Sequence, residues 1–257
     1  MKKIVLVLMS VALVSCSSTK KNDVAYMEGV ALWMQNSAEV RALRYQAFNA
    51  ARYTVDQSLK KRSKKPRALI VDIDETVLDN SPYQARGLVT GEAYNEQEWE
   101  RWVDMGKARA LAGSVGFLNY AVKKGVEVFY ISNRKVRGFE PTYQNLKEEG
   151  FPVKKQNLIL KTHTSSKDER RKDVFKKYNV ILLMGDTLAD FHTNFEDKNT
   201  NERNILVDSF RKEFGKKFIV LPNPMYGDWE WALHDYDYSK SMKEREQERK
   251  RFLYPYK

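Results

Sequence analysis

Cysteine is nearly missing from this chain of 257 residues. Cys16 stands alone, which excludes a framework of internal disulfides. Histidine is scarce too: His163, His192 and His234 lie far apart without recurrent ligand spacing, which argues against a zinc site. No apolar run approaches the roughly 20 residues that a membrane-spanning helix needs. Internal repeats and low-complexity tracts are absent, so a repeat array and a wholly disordered polymer drop out. What is present can bury a core: 42% of residues are hydrophobic and 12% aromatic. The length suits one large domain, or one domain with an appended cap.

The single cysteine stands at an informative place. Lys2 and Lys3 precede "IVLVLMSVALV", a positive segment followed by a short apolar one, as in a secretory signal. The next residues, "LVSC" from Leu13 to Cys16, resemble a bacterial lipobox, in which cleavage precedes a cysteine that is then lipidated. The expectation is a signal peptide over 1–15, a lipidated tether over 16–23 and an exported protein held to the membrane by acyl chains. Ser17 after the cysteine is similar to the residue that favours outer-membrane sorting. An ordinary signal peptide that happens to contain a cysteine is the plainer alternative.

The formal charge is +11. Its basic residues are dispersed and mixed with acids, so no stripe fits a nucleic-acid polymer, whereas small anionic substrates remain open. The densest run, "KSMKEREQERKRF" near the end, reads as a solvated C-terminal helical tail.

From Val24 to about Lys61 apolar residues recur at three- and four-residue spacings, which predicts helix. Beyond Pro66, continuous apolar runs at 68–73, 126–131, 157–160, 180–184 and 217–221 read as strands. Helical patterns at 114–124, 139–149 and 166–178 separate them. Buried strands alternating with helices predict an α/β fold, a Rossmann-like parallel sheet flanked by helices. The interval 81–112 is too long for a simple crossover and is expected to join 24–65 in a mainly helical cap over a core spanning 66–257.

Chemistry gathers at the strand ends, where parallel sheets place their reactive loops. The run "ALIVDIDETVLDN" closes on Asp72 and Asp74, two residues apart and so on one face. A second strand ends in Ser132-Asn133-Arg134, the segment "SSKDERR" carries Lys167, and "GDTLADF" supplies Asp186 and Asp190. Acids, a hydroxyl and a lysine at one sheet edge could hold a metal and a phosphoryl group.

"DIDET" after an apolar strand, followed by a distant Ser, a Lys and "GDxxxD" in that order, resembles the haloacid dehalogenase superfamily. The strings "DIDETVLDNSPY", "EWERWVDMGKARALAG", "YISNR" and "GKKFIVLPNPMYGDWE" narrow the likeness to the bacterial class C acid phosphatases, the outer-membrane lipoprotein phosphatase and 5′-nucleotidase group. With "MQNSAEVRALRYQAF" near the start, it covers nearly all of the chain beyond the tether. The resemblance implies that Asp72 is the nucleophile on phosphorus and that Asp74 protonates the leaving alkoxide. It implies that Ser132 and Asn133 bind phosphate with Lys167. It implies Mg²⁺ held by the Asp72 side chain, the Asp74 carbonyl and Asp186, with Asp190 behind them.

Some alternatives stay open. Lys161 competes with Lys167, Ser132 could be a turn residue, and Asp190 could cap "FHTNF". Trp99 and Tyr226 match family positions for rings around the leaving group, but core packing is the ordinary fate of such residues. Trp102, Trp229 and Trp231 are assigned to the core. Asn80 is placed among the substrate contacts, with loop shaping as its other reading, the reading also given to Glu75 and Asp79. The expected substrate is a small phosphomonoester, a nucleoside 5′-monophosphate above all, and a homodimer is implied by resemblance alone. Phosphotransfer to an alcohol, or a surface lipoprotein that binds a nucleotide or cofactor without chemistry, are the rivals.

Overall fold

A computed structural model describes residues 24–256. The expected signal peptide, Cys16 and tether lie outside the described residues. The chain opens with α1 (Glu28–Asn36) and α2 (Ala38–Leu59), separated at Ser37, whose extended ψ of 132° breaks the helical path. The Ser37 hydroxyl then accepts from the N–H groups of Glu39 and Val40, capping α2. After β1 (Arg67–Val71) and the short β2 (Leu78–Asp79) come α3 (Ser81–Thr90), α4 (Glu96–Met105) and β3 (Arg109–Ala110). The chain continues through α5 (Ser114–Lys123), β4 (Glu127–Lys135), α6 (Phe139–Glu148), β5 (Leu158–Lys161) and α7 (Asp168–Lys177). It ends with β6 (Asn179–Gly185), α8 (Thr200–Ser209), β7 (Phe218–Val220), α9 (Asp228–Ala232) and α10 (Met242–Arg251).

Five strands form one parallel sheet in the order β5-β4-β1-β6-β7. All five strands and the three intervening helices read from the sequence are present. Strand alternation sends Leu69 and Val71 to one face, where Phe48, Ala51 and Val55 of α2 and Phe117, Leu118 and Ala121 of α5 cover them. Ala68 and Ile70 face the other side, against Val174 of α7, Phe191 and Phe218. This corrects the place of α2. It is a sheet-covering helix of the core, because its apolar stripe packs directly on the strands.

The interval 81–112 has its own frame. β2 and β3 pair antiparallel, Leu78 with Ala110 and Asp79 with Arg109, and so tie the two ends of the α3–α4 excursion together. Gly91 and Gly106, at φ of 72° and 59°, end those two helices in a conformation that glycine adopts without strain. Among the described residues no helix is long and apolar enough to cross a membrane.

The strand order sets the location of the site. From β1 the chain moves outward through β4 and β5, then returns to the opposite side of β1 for β6 and β7. The loops leaving β1, β4 and β6 therefore diverge at one sheet edge and leave a crevice between them, the usual ligand position of such sheets.

Candidate active site

Asp72 follows directly after β1, and its backbone N–H still continues the sheet by donating to the Met184 carbonyl at 2.9 Å. Its side chain is buried. One oxygen accepts from Lys167, and the other accepts from the Thr76 hydroxyl at 3.3 Å. Lys167 stands at the N-cap of α7, one residue before the helix expected to carry it, and its ammonium also donates to Asp190 Oδ1 at 2.6 Å. The competing Lys161 lies in β5, beside Tyr94 and Trp99.

Asp186 and Asp190 reach the crevice from the loop after β6. Asp190 Oδ2 accepts from the N–H and hydroxyl of Thr187, which closes a capping box on the turn 188–190 rather than on the following "FHTNF". The backbone at Gly185 passes so close to Asp190 that a Cβ there would overlap its carboxylate. Asp186 Oδ2 accepts from Asn223 Nδ2 at 2.7 Å. Asp72, Asp186 and Asp190 each offer an oxygen, and these atoms lie within 4.8 Å of one another.

Electrostatics show what such a cluster needs. Burial drives the Asp72 carboxyl up to about 7; Lys167 opposes the rise, and Asp190 and Asp74 add to it. Burial, then the charges of Asp72 and Asp190, raise Asp186 well above the usual carboxylate range. Burial works against the Lys167 charge, yet Asp190 and Asp72 hold its pKa above that of an ordinary lysine. One ammonium thus bridges two of the three carboxylates. The donor set is hard oxygen throughout and short of positive charge, which fits a divalent cation of the Mg²⁺ type.

Asp74 is only partly buried and points to a different set of partners. Its Oδ1 accepts from Arg134 Nε at 2.9 Å and from Asn80 Nδ2 at 2.9 Å, while Oδ2 accepts from the Ser132 hydroxyl at 3.3 Å. Ser132 is fully buried, so the site brings it into line with Asp74. Asn133 is not brought in: it points to the opposite side of β4, exposed, and accepts from Arg170 Nη2 at 2.7 Å.

Asn80 departs from its expected place among the substrate contacts. It is fully buried, its Oδ1 accepts from Trp102 Nε1 at 2.8 Å, and its amide donates to both Asp74 and Glu75. With those bonds made, it shapes the site from behind. Tyr226 donates its phenol to Glu75, and Trp99 lies edge-on to Tyr83 at 5.2 Å with the Arg134 guanidinium over its ring. Trp229 is 41% exposed and Trp231 packs on Tyr238 and Arg245, so neither belongs to the core. Trp102 does pack against it.

Four residues stand closer to the site than their sequence signals implied. Glu75 is buried and accepts from the Asn80 N–H at 2.7 Å; burial and Asp74 push its carboxyl up to about 8. It holds a φ of 54°, a left-handed conformation unfavourable for glutamate, which these bonds sustain. Arg134 could have been found from its position two residues beyond Ser132 on one strand, hence on the same face. Arg170 donates to the Ser132 carbonyl at 2.7 Å and Asn223 donates to Asp186; neither had a local signal.

A parallel sheet with an aspartate cluster at its central switch point is the arrangement of a HAD-like α/β enzyme. A family model described as HAD superfamily, subfamily IIIB (Acid phosphatase) matches residues 8–229. The chain belongs to that family, and phosphoric monoester hydrolysis is its class of chemistry. It is similar to the class C acid phosphatase from Bacillus anthracis at 40% identity and a TM-score of 0.89, over 92% of this chain and 100% of that one. A structure of the class C acid phosphatase from Bacillus anthracis with tungstate bound gives 40% identity and a TM-score of 0.87, over 92% and 99% of the two chains. Acid phosphatase 1 of Solanum lycopersicum is 30% identical over 165 residues, which span 61% of this chain and 57% of that relative.

Proposed function

We propose that this chain is a Mg²⁺-dependent acid phosphatase acting on small phosphomonoesters, with nucleoside 5′-monophosphates as its preferred class. One observation carries the reading: the buried Asp72–Lys167–Asp190 bridge with Asp186 beside it, facing an Asp74 held by separate partners. Two neighbouring carboxylates in such unlike surroundings are suited to unlike duties. An Asp72 oxygen bonds to phosphorus as the bond to the ester oxygen breaks, giving an aspartyl-phosphate. Asp74 gives its proton to the departing alkoxide, then takes one from the water that releases inorganic phosphate and frees Asp72.

Ser132 and Lys167 steady the phosphate oxygens, where positioning and charge neutralisation supply most of the catalysis. Mg²⁺ would be held by Asp72, Asp186 and the Asp74 carbonyl, with Asp190 orienting Lys167. The metal supplies charge neutralisation between the carboxylate nucleophile and the anionic phosphate. Tungstate is a tetrahedral oxyanion like phosphate, so its binding to the Bacillus anthracis relative supports this reading. Trp99 and Tyr226 are rings that a nucleobase could stack on, and the excursion over 81–112 forms the cap beside them. Residues 1–23 support export and lipid anchoring at the outer membrane, and a homodimer is proposed on the sequence resemblance alone.

A phosphate-release screen over nucleoside 2′-, 3′- and 5′-monophosphates and aryl phosphates, with and without Mg²⁺, tests the reading. Release from 5′-monophosphates that depends on Mg²⁺, and that Asp72→Asn abolishes in a folded protein, is expected. No release from any ester with metal present, or wild-type turnover by Asp72→Asn, overturns it.

A further inference from the structure

Arg134 is the largest fully buried polar side chain near the site, only 2% exposed. A buried guanidinium must be paired, and the identity of its partner shows its role. Nε and Nη2 of Arg134 both reach the same atom, Asp74 Oδ1, at 2.9 and 2.8 Å. Asn80 Nδ2 donates to that oxygen as well, at 2.9 Å. The two hydrogen bonds, from Arg134 Nε and Asn80, take up the two lone pairs of Oδ1, and the Nη2 charge lies beside them as an ion pair, which leaves no room for a proton there. Oδ2 has one partner, the Ser132 hydroxyl at 3.3 Å. Ser132 is itself the residue that faces phosphate in the proposed function.

The clamp is braced on three elements. Arg134 projects from β4, and its Nη1 donates to Thr142 Oγ1 of α6 at 3.2 Å. Its Nη2 also approaches Asn80 Oδ1 at 3.4 Å, the oxygen that accepts from Trp102 of α4 at 2.8 Å. Neither the Asp74 carboxylate nor the Asn80 amide can turn without breaking several bonds at once. A lysine, with a point charge on a flexible stem, could not hold this geometry.

We infer that Arg134 is the positioning residue of the acid–base step: together with Asn80 it fills Oδ1 of Asp74, so that Oδ2 alone carries the proton and faces the leaving oxygen. Orientation of this kind matters because a small misplacement of a catalytic group costs rate without changing ground-state binding. The inference rests on the proposed function, in which Asp74 protonates the leaving alkoxide.

The experiment compares wild type, Arg134→Lys, Arg134→Gln and Trp102→Phe, all with Mg²⁺, on two esters. p-Nitrophenolate leaves with little help from a proton, whereas the alkoxide of a nucleoside 5′-monophosphate needs one. Both Arg134 variants should lose about 100-fold in kcat on the nucleotide, the scale of general acid catalysis, and less than about 10-fold on the aryl ester, with KM within about threefold. Trp102→Phe keeps an aromatic ring, smaller than indole, and removes the donor to Asn80. It should show the same ester preference with a smaller loss, about 3- to 10-fold, and it decides the matter if the Arg134 variants do not fold. Equal losses on the two esters in a folded variant, or no loss on the nucleotide, overturn the inference while the phosphatase reading stands. Inactivity of the wild type on both esters overturns that reading and the inference with it.

Discussion

Asn223 donates its side-chain amide to Asp186 Oδ2 at 2.7 Å, tying the loop after β7 to the acid cluster. The bond fixes the orientation of a carboxylate in the proposed metal set. Outer-shell partners of this kind typically contribute 10- to 100-fold to metal affinity. Asn223→Leu should raise the Mg²⁺ concentration for half-maximal activity by about that factor. A metal titration of the variant checks this, and an unchanged midpoint would remove Asn223 from the site.

The backbone at Gly185 lies against the Asp190 side chain, so Gly185→Ala cannot be accommodated in place. Overpacking at a buried position costs about 1–3 kcal/mol. Denaturant unfolding should show a loss of that order, together with a fall in turnover as Asp190 is pushed off Lys167. Native stability with full turnover would mean that the loop yields more readily than its capping box allows.

Lys167 and Lys161 separate cleanly in the structure, and so should their variants. Lys167→Met leaves Asp72 and Asp190 buried without their shared cation, and breaking such a pair costs about 3–5 kcal/mol. A large loss of both stability and kcat is expected. Lys161→Met, at a residue outside the cluster, should change kcat by less than about threefold, within the range of ordinary surface changes. The reverse ranking would restore Lys161 to the role.

Metal and pH should be linked. Asp72 and Glu75 have folded-state values near 7 and 8, above the ordinary carboxylate range, and Asp186 is raised as well. In chelator, these groups contribute stability that is fully present below about pH 4 and lost as pH rises through 7 to 8. A divalent cation binds the ionised acids, so it should offset that loss. Thermal unfolding in EDTA and in Mg²⁺ from pH 4 to pH 8 should therefore show a Tm gap that widens with pH. A gap that narrows would argue that the cation binds elsewhere.

The fold was legible because its signals are local. Continuous apolar runs such as 68–73 and 180–184 need only neighbouring residues to be recognised as buried parallel strands. Asp72 and Asp74 were legible for the same reason, lying two positions apart at the end of one run. The surroundings of Asp74 were not. Arg134 reaches it across 60 positions, Trp102 reaches Asn80 across 22, and Tyr226 reaches Glu75 across 151. Glu75 therefore read as a loop residue, and Asn80 as a substrate contact or a loop residue, until folding gave them partners.

By itself, then, the sequence determined the strands, their order of chemistry and the identity of the acids, because periodicity and spacing act within a few residues. Only the tertiary structure decided which lysine joins the aspartates and which side of β4 serves the site. It also decided how Asp72 and Asp74 come to differ. Those outcomes depend on burial and charge contributed by elements far apart in the chain, which interact only once the sheet edge has closed around them.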